Sequence, residues 1–260
     1  MKVVLFCGGL GMRLREVSES TPKPMVPIGY RPIIWHLMKY YAHFGHKEFI
    51  LALGHKADMF KSYFLNYQEW LSNDFTLDGR TGQPTLLHTD IHDWKITFVD
   101  TGAQSNIGMR LKAVEKHVIE DDAFLANYSD GLTDMPLNQL TDFFRKKDKI
   151  ATFMSVHTGQ SFHTVTMKPD GIVESIQDMS SAGLTINGGF FAFKREIFDY
   201  IRHGEELVHE PFQRLIAKGE LTAFQHNGFW GCMDTFKDKQ RLDDLYAKGN
   251  APWEVWNQKQ

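Results

Sequence analysis

LFCGGLGMRLREVSESTPKPMVPIG, residues Leu5 to Gly29, decides how this chain is read. The aliphatic run Val3-Val4-Leu5-Phe6 predicts a buried strand that stops in a glycine-rich loop, Gly8-Gly9-Leu10-Gly11. Arg13 follows, and Lys23 lies beyond it between Pro22 and Pro24. Glycines remove the side chains that would keep a polyphosphate away from backbone N–H groups, so such a loop can wrap a phosphate chain. Arg13 and Lys23 add fixed cations where phosphoryl-transfer charge must be neutralised. The stretch reads as a site for a nucleoside triphosphate.

Two familiar phosphate loops do not fit. A Walker A loop ends in Gly-Lys-Ser/Thr, which this segment lacks. A dinucleotide-binding GxGxxG beginning at Gly9 meets Leu14 in place of its third glycine and so loses its close helix–strand contact.

At 260 residues the chain has room for one large α/β domain, read as a single unit over 1–260. With 42% hydrophobic and 23% charged residues it is an ordinary globular composition. A net charge of −3 gives no broad electrostatic grip on nucleic acid, so phosphate binding must come from a local cluster. No apolar run approaches the roughly 20 residues that span a bilayer, and MKVVLF leads into the glycine loop with no secretory signal. Cys7 and Cys232 are too few for a disulfide framework or a structural zinc site, so a reducing cytoplasm is the expected setting. Both read as small packing residues.

Short apolar segments alternate with amphipathic ones through the first half. Phe49–Leu53, Ile96–Val99 and Phe124–Tyr128 read as strands, and Ile33–Phe44, Asp58–Asn66 and Arg110–Val118 as helices. That alternation implies a mostly parallel sheet with helices on both faces. Residues 67–94, with Gly79, Gly82 and Pro84 among polar neighbours, read as an insertion carrying a hairpin or an oligomer contact. From about residue 150 the texture shifts to strands at Ala151–Val156, Thr164–Met167 and Leu184–Phe193. Helices are expected at Arg195–Ile201, Pro211–Ala217 and Lys237–Ala247, the last stopped by Gly249.

Asp130 follows a strand of buried character, and the C-terminal ends of such strands are where α/β folds bind ligands. Asp234, in GFWGCMDT, is the second candidate. Together they could hold one magnesium ion that bridges triphosphate oxygens. The alternative is that each begins a turn or caps a helix, and for Asp234 the helix beginning near Lys237 makes capping a serious rival.

These motifs, with DTG at Asp100–Gly102, SDG at Ser129–Gly131, INGG at Ile186–Gly189 and HNGFW, resemble the sugar nucleotidyltransferases in order over essentially the whole length. Among them the pattern is similar to the glucose-1-phosphate cytidylyltransferases. The resemblance implies a Rossmann-like nucleotidyltransferase fold: a mostly parallel mixed sheet flanked by helices, with a small inserted segment. It also implies a magnesium cofactor and attack by an acceptor phosphate oxygen on the α-phosphate of a nucleoside triphosphate, CTP by its DTG and GMRL segments. On that resemblance Gly8, Gly9, Gly11, Ser105 and Arg110 hold the nucleotide, Arg13 and Lys23 neutralise phosphate charge, and Asp130 and Asp234 hold the metal. For Arg110 a solvated helix face is the competing reading. By analogy with the family, a homo-oligomer is expected.

The departures fall on the acceptor half. The family's Glu-Lys-Pro segment, whose Glu holds sugar hydroxyls and whose Lys holds the sugar phosphate, corresponds to Gln177-Asp178-Met179-Ser180. Its Arg-Phe-Gly segment corresponds to Ser161-Phe162-His163, and Met12 replaces a small hydroxyl residue in the glycine loop. Asp178, Met179, Asn187 and His163 are the candidate acceptor residues, His163 as a partial replacement for the missing cation. Asn187 could equally form a turn, and His163 could face solvent as one of 12 histidines.

The sequence therefore implies a magnesium-dependent nucleotidyltransferase, using CTP and a phosphorylated small molecule that need not be glucose 1-phosphate. The rival reading is a catalytically inactive paralogue that binds nucleotide or sugar nucleotide as a regulatory subunit. Retention of Arg13, Lys23, Asp130 and Asp234 favours the enzyme; loss of the acceptor lysine favours the rival.

Overall fold

The computed structural model describes residues 1–9, 21–157, 163–178 and 183–257. Arg13, Gly11 and Met179 lie outside the described residues, as do Met12 and Phe162.

The chain opens with β1 (Val3–Cys7), a short hairpin of β2 (Pro27–Ile28) and β3 (Arg31–Pro32), and helix α1 (Ile33–His43). Next come β4 (Glu48–Leu53), α2 (Ala57–Leu65), the hairpin strands β5 (Phe75–Asp78) and β6 (Gln83–Leu86), β7 (Lys95–Asp100) and α3 (Ile107–Val114). The middle holds β8 (Ala123–Asn127), β9 (Gly131–Thr133), α4 (Leu137–Lys147) and β10 (Ala151–His157). A separate pair, β11 (His163–Met167) and β12 (Val173–Asp178), precedes β13 (Thr185–Lys194). The chain finishes with α5 (Glu210–Ala217), β14 (Leu221–His226), β15 (Trp230–Cys232) and α6 (Phe236–Ala247).

Seven strands form the main sheet in the order β14-β10-β13-β8-β1-β4-β7. Every neighbouring pair is parallel except the two that β13 makes, with β8 and with β10. The sheet is thus mixed but mostly parallel, as the alternating pattern implied.

Successive side chains of a strand point to opposite faces, and here both faces are covered. Val3, Leu5 and Cys7 enter one core with Phe49, Leu51 and Leu53, beneath Ile33, Leu37 and Tyr41 of α1. Val4 and Phe6 enter the other with Ile50 and Ala52, beneath Leu111 and Val114 of α3. That is why Val3–Cys7 is a continuous apolar run with no alternation.

Most expected elements are present with boundaries shifted by a residue or two. Helix α3 begins earlier than Arg110 because the Asn106 side chain accepts the Met109 N–H as an N-cap, and its tail, Glu115–His117, tightens into a 3₁₀ turn. The helix expected at Arg195 is a 3₁₀ helix, Arg195–Tyr200. Helix α4 is absent from the expected elements, although Leu137, Leu140, Thr141 and Phe144 line its buried face at helical spacing.

The 67–94 stretch does carry a hairpin, β5 with β6. Its anchor is polar. The Arg31 guanidinium donates to Ser72 Oγ at 2.6 Å and to the Gln68 carbonyl at 2.7 Å, and lies 4.2 Å over the Tyr67 ring. Asp90, also buried, accepts from Lys39 at 3.0 Å and Tyr67 at 2.9 Å. Paired in this way, the two charges avoid the penalty of isolated burial. No described helix is long and apolar enough to cross a membrane.

Candidate active site

The C-terminal ends of the parallel strands meet at a cavity of about 480 Å³, lined by residues that include Gly8, Gly9, Lys23, Ser105, Arg110, Tyr128, Asp130 and Asp234. Seven candidate site residues, Gly8, Gly9, Lys23, Ser105, Arg110, Asp130 and Asp234, therefore share one space, although they come from distant parts of the chain.

The two aspartates are brought together by strand register. β9 and β15 pair antiparallel with Gly131 opposite Cys232, and the Met233 N–H donates to the Asp130 carbonyl at 2.8 Å. Asp130 precedes one strand and Asp234 follows the other, so both emerge at the same end of the ladder. Asp234 is not the helix cap. Thr235 is, in a capping box with Asp238.

The turn into Asp130 is sharp. Ser129 is fully buried with φ +68°, a left-handed conformation unusual for a residue with a Cβ. Its N–H donates to Asn127 Oδ1 at 2.7 Å, and its hydroxyl accepts from the Cys7 thiol. A non-glycine residue held in this region costs of order 1–3 kcal/mol, met here by full burial and local hydrogen bonding.

Lys23 arrives from a 3₁₀ turn, Lys23–Met25, with Pro22 as its N-cap and Pro24 inside it, each ring fixing its own φ. Its Nζ donates to Asp130 Oδ2 at 2.7 Å and also to Asp234 Oδ1. Burial alone would lower the lysine pKa, but the two carboxylates outweigh it and hold it above the ordinary value. Burial raises the Asp130 carboxyl, with the Asp234 charge adding to the shift and Lys23 opposing it. An excess of one negative charge therefore surrounds a single cation.

Two hard carboxylate donors converging on one positive charge suit a divalent cation that takes its other ligands from water and phosphate oxygens. Among the described residues no group of three or more His, Cys, Asp or Glu side chains is gathered to hold a metal. The donor set thus fits magnesium carried with a triphosphate, and would not make an all-protein calcium or zinc cage.

Arg110 is neither on a solvated face nor loose in the cavity. It is 2% exposed. Its guanidinium donates to the carbonyls of Gly8 at 2.8 Å, Leu53 at 3.2 Å and Gly102 at 3.0 Å, and to Thr101 Oγ1 at 2.7 Å. It ties together the ends of β1, β4 and β7 below the cavity. Gly8 has no room for a side chain because a Cβ there would lie 2.0 Å from the Arg110 guanidinium carbon. Ser105 Oγ donates to the Thr101 carbonyl at 2.5 Å while lining the cavity wall.

The acceptor candidates divide. His163 and Asp178 face each other across the β11–β12 pair, Nε2 to Oδ1 3.3 Å, and both are exposed. Neither lines the cavity. Asn187 Oδ1 accepts the Gly189 N–H at 2.9 Å, which is the turn role weighed for it, and its Nδ2 donates to the Tyr128 hydroxyl at 3.2 Å. Tyr128 was not a candidate from sequence. A tyrosine at a strand end beside an acidic turn was the available signal. Burial pushes the Cys7 thiol up to about 12, and burial with the nearby Asp234 charge does the same for Cys232, so both stay protonated packing groups.

Residues 2–238 match the family model described as nucleotidyl transferase. The chain is 40% identical over 258 residues to a glucose-1-phosphate cytidylyltransferase of Salmonella typhimurium, covering 98% of this chain and all of that protein. It is 38% identical, with the same coverage, to a probable glucose-1-phosphate cytidylyltransferase of Bacillus subtilis. Among solved structures, a UDP-glucose pyrophosphorylase complexed with UDP-glucose superposes with a TM-score of 0.70 at 14% identity, covering 95% of this chain and 98% of that one. The chain belongs to the nucleotidyl transferase family.

Proposed function

We infer that this protein transfers CMP from CTP to a sugar 1-phosphate, releasing pyrophosphate. The observation that carries the reading is Lys23 held between Asp130 and Asp234 in the cavity that Gly8 and Gly9 also line. The 38–40% identity to cytidylyltransferases over nearly the whole chain supports CTP as the donor.

Backbone N–H groups of the glycine loop approach the triphosphate closely at Gly9, which carries no side chain, while the bare Gly8 leaves room for the Arg110 guanidinium beneath it. Magnesium held by Asp130 and Asp234 would neutralise developing charge on the phosphates. Lys23 supplies a second positive charge at the same point, and the buried Arg110 keeps the Gly8 carbonyl fixed so that the site needs little reorganisation on reaction. An acceptor phosphate oxygen forms the new bond to the α-phosphorus as the bond to pyrophosphate breaks. No proton transfer is needed, because the attacking phosphate is already anionic near neutral pH.

The acceptor half is read as rebuilt. Asp178 pairs with exposed His163 where the family carries its sugar-binding glutamate, which supports an acceptor other than glucose 1-phosphate. The exposed Trp70, Leu77 and Leu87 of the inserted segment support reading it as a contact between copies. Pyrophosphate release from CTP, UTP, ATP and dTTP, each against glucose, galactose and mannose 1-phosphate, tests the function. Release specific to CTP supports it. No release with any pair would leave the inactive, nucleotide-binding paralogue as the better reading.

A further inference from the structure

The side-chain amide of Asn187 has its orientation decided by the backbone. The Gly189 N–H can only donate, so the atom 2.9 Å from it must be Oδ1, and Nδ2 must face the Tyr128 hydroxyl at 3.2 Å. An amide NH₂ can only donate, so the Tyr128 oxygen accepts here and keeps its own proton for another partner. Among the described residues no hydrogen bond takes that proton.

The ring is equally constrained. Gly189, at φ +80°, has no Cβ, and one added there would lie 2.7 Å from Tyr128 Cδ2. Phe191 meets the ring edge-on at 5.0 Å, and Phe6 lies against it at 6.4 Å. The Tyr128 N–H also donates to the Gly189 carbonyl at 3.3 Å. Tyr128 thus sits between the cavity it lines with Lys23 and Asp130 and the strand that carries Asn187.

We propose that Tyr128 donates its hydroxyl hydrogen bond to the phosphate of the sugar-phosphate acceptor, oriented by Asn187. This rests on the nucleotidyl-transfer reading and adds a residue to it. The partner is a phosphate oxygen because the reacting phosphates must meet beside Asp130, two residues along the chain. The attacking oxygen bonds to the α-phosphorus and pyrophosphate leaves with the electron pair, while the tyrosine keeps its proton throughout. A neutral donor of this kind would carry part of the task that a lysine performs elsewhere in the family.

Tyr128→Phe removes one oxygen and keeps the packed ring. Calorimetry with glucose, galactose and mannose 1-phosphate, on the complex with a non-hydrolysable CTP analogue and magnesium, should show acceptor affinity falling about 10- to 100-fold. Affinity for the analogue itself should hold, and KM for the acceptor in steady state should rise in step. Asn187→Asp turns the donor into an acceptor that captures the tyrosine proton, so it should produce a similar loss, with little further loss in the double variant. Unchanged acceptor affinity in Tyr128→Phe, equal weakening of the CTP analogue, or additive effects in the double variant would overturn the assignment. If none of the three sugar phosphates binds the unmodified protein, the sugar-phosphate reading itself falls and takes the Tyr128 role with it.

Discussion

Lys23 Nζ lies 2.7 Å from Asp130 Oδ2, an ion pair between residues 107 positions apart, set within the cavity that both line. The same ammonium also meets Asp234 Oδ1, so one cation already answers two carboxylates. A divalent metal must share or displace that contact.

Magnesium alone should therefore bind weakly, and binding should tighten when a CTP analogue supplies phosphate oxygens and a second partner for the lysine. Calorimetric titration of magnesium with and without the analogue checks this. Equal magnesium affinity in both cases would mean that the carboxylates form a complete site by themselves.

Asp130→Asn should reduce turnover by orders of magnitude while the thermal transition stays within a few degrees, since a neutral amide is a poor ligand for a hard cation. Asp234→Asn should behave alike. Near-normal turnover in either variant would disprove the shared-metal arrangement.

Lys23→Ala leaves two carboxylates side by side with no cation between them. Turnover should fall by roughly 10²–10³, the scale of losing one preorganised charge partner for the transition state. Raising magnesium should recover little of it if the lysine acts on the phosphates. Full recovery would limit Lys23 to holding the carboxylates in place.

Gly8→Ala should destabilise the fold and weaken CTP binding together. The new methyl would displace a guanidinium that serves the carbonyls of Gly8, Leu53 and Gly102, and leaving buried acceptors unpaired costs about 1–3 kcal/mol each. Urea unfolding and calorimetry measure the two effects separately. The neighbouring Gly9 has open space for a Cβ, so Gly9→Ala should leave stability nearly unchanged.

Acid should weaken the fold through His36. This imidazole is 1% exposed, accepts from the Trp253 indole N–H at 3.3 Å and donates to the Ile28 carbonyl at 3.0 Å, an arrangement that requires its neutral form. Burial lowers its pKa from 6.5 to about 4. The unfolded chain therefore binds the extra proton first, so the stability is fully present above pH 6.5 and is lost as pH falls towards 4. The lost contribution is roughly 3 kcal/mol. Urea unfolding at pH 7 and pH 5 should show a steeper loss in the unmodified protein than in His36→Gln, whose amide can also donate and accept. Identical pH dependence in the two would exclude His36 as the source.

What the sequence determined by itself were the features written in local pattern. The run Val3–Phe6 ending in glycines announced a buried strand that stops in a glycine-rich turn, because periodicity and missing side chains are properties of neighbouring residues. The strand–helix alternation to Asn127 followed for the same reason. Helix α4 was equally legible from Leu137, Leu140 and Phe144, though it was not among the expected elements. Tertiary structure alone decided the rest. Only the β9–β15 register sets Asp130 beside Asp234 and leaves Thr235 as the helix cap. Burial turned Arg110 from a helix-face cation into the brace beneath the glycine loop, and the Gly189 N–H fixed which atom of Asn187 faces Tyr128. Such roles depend on distances between residues tens to hundreds of positions apart, and those distances exist only once the sheet has paired.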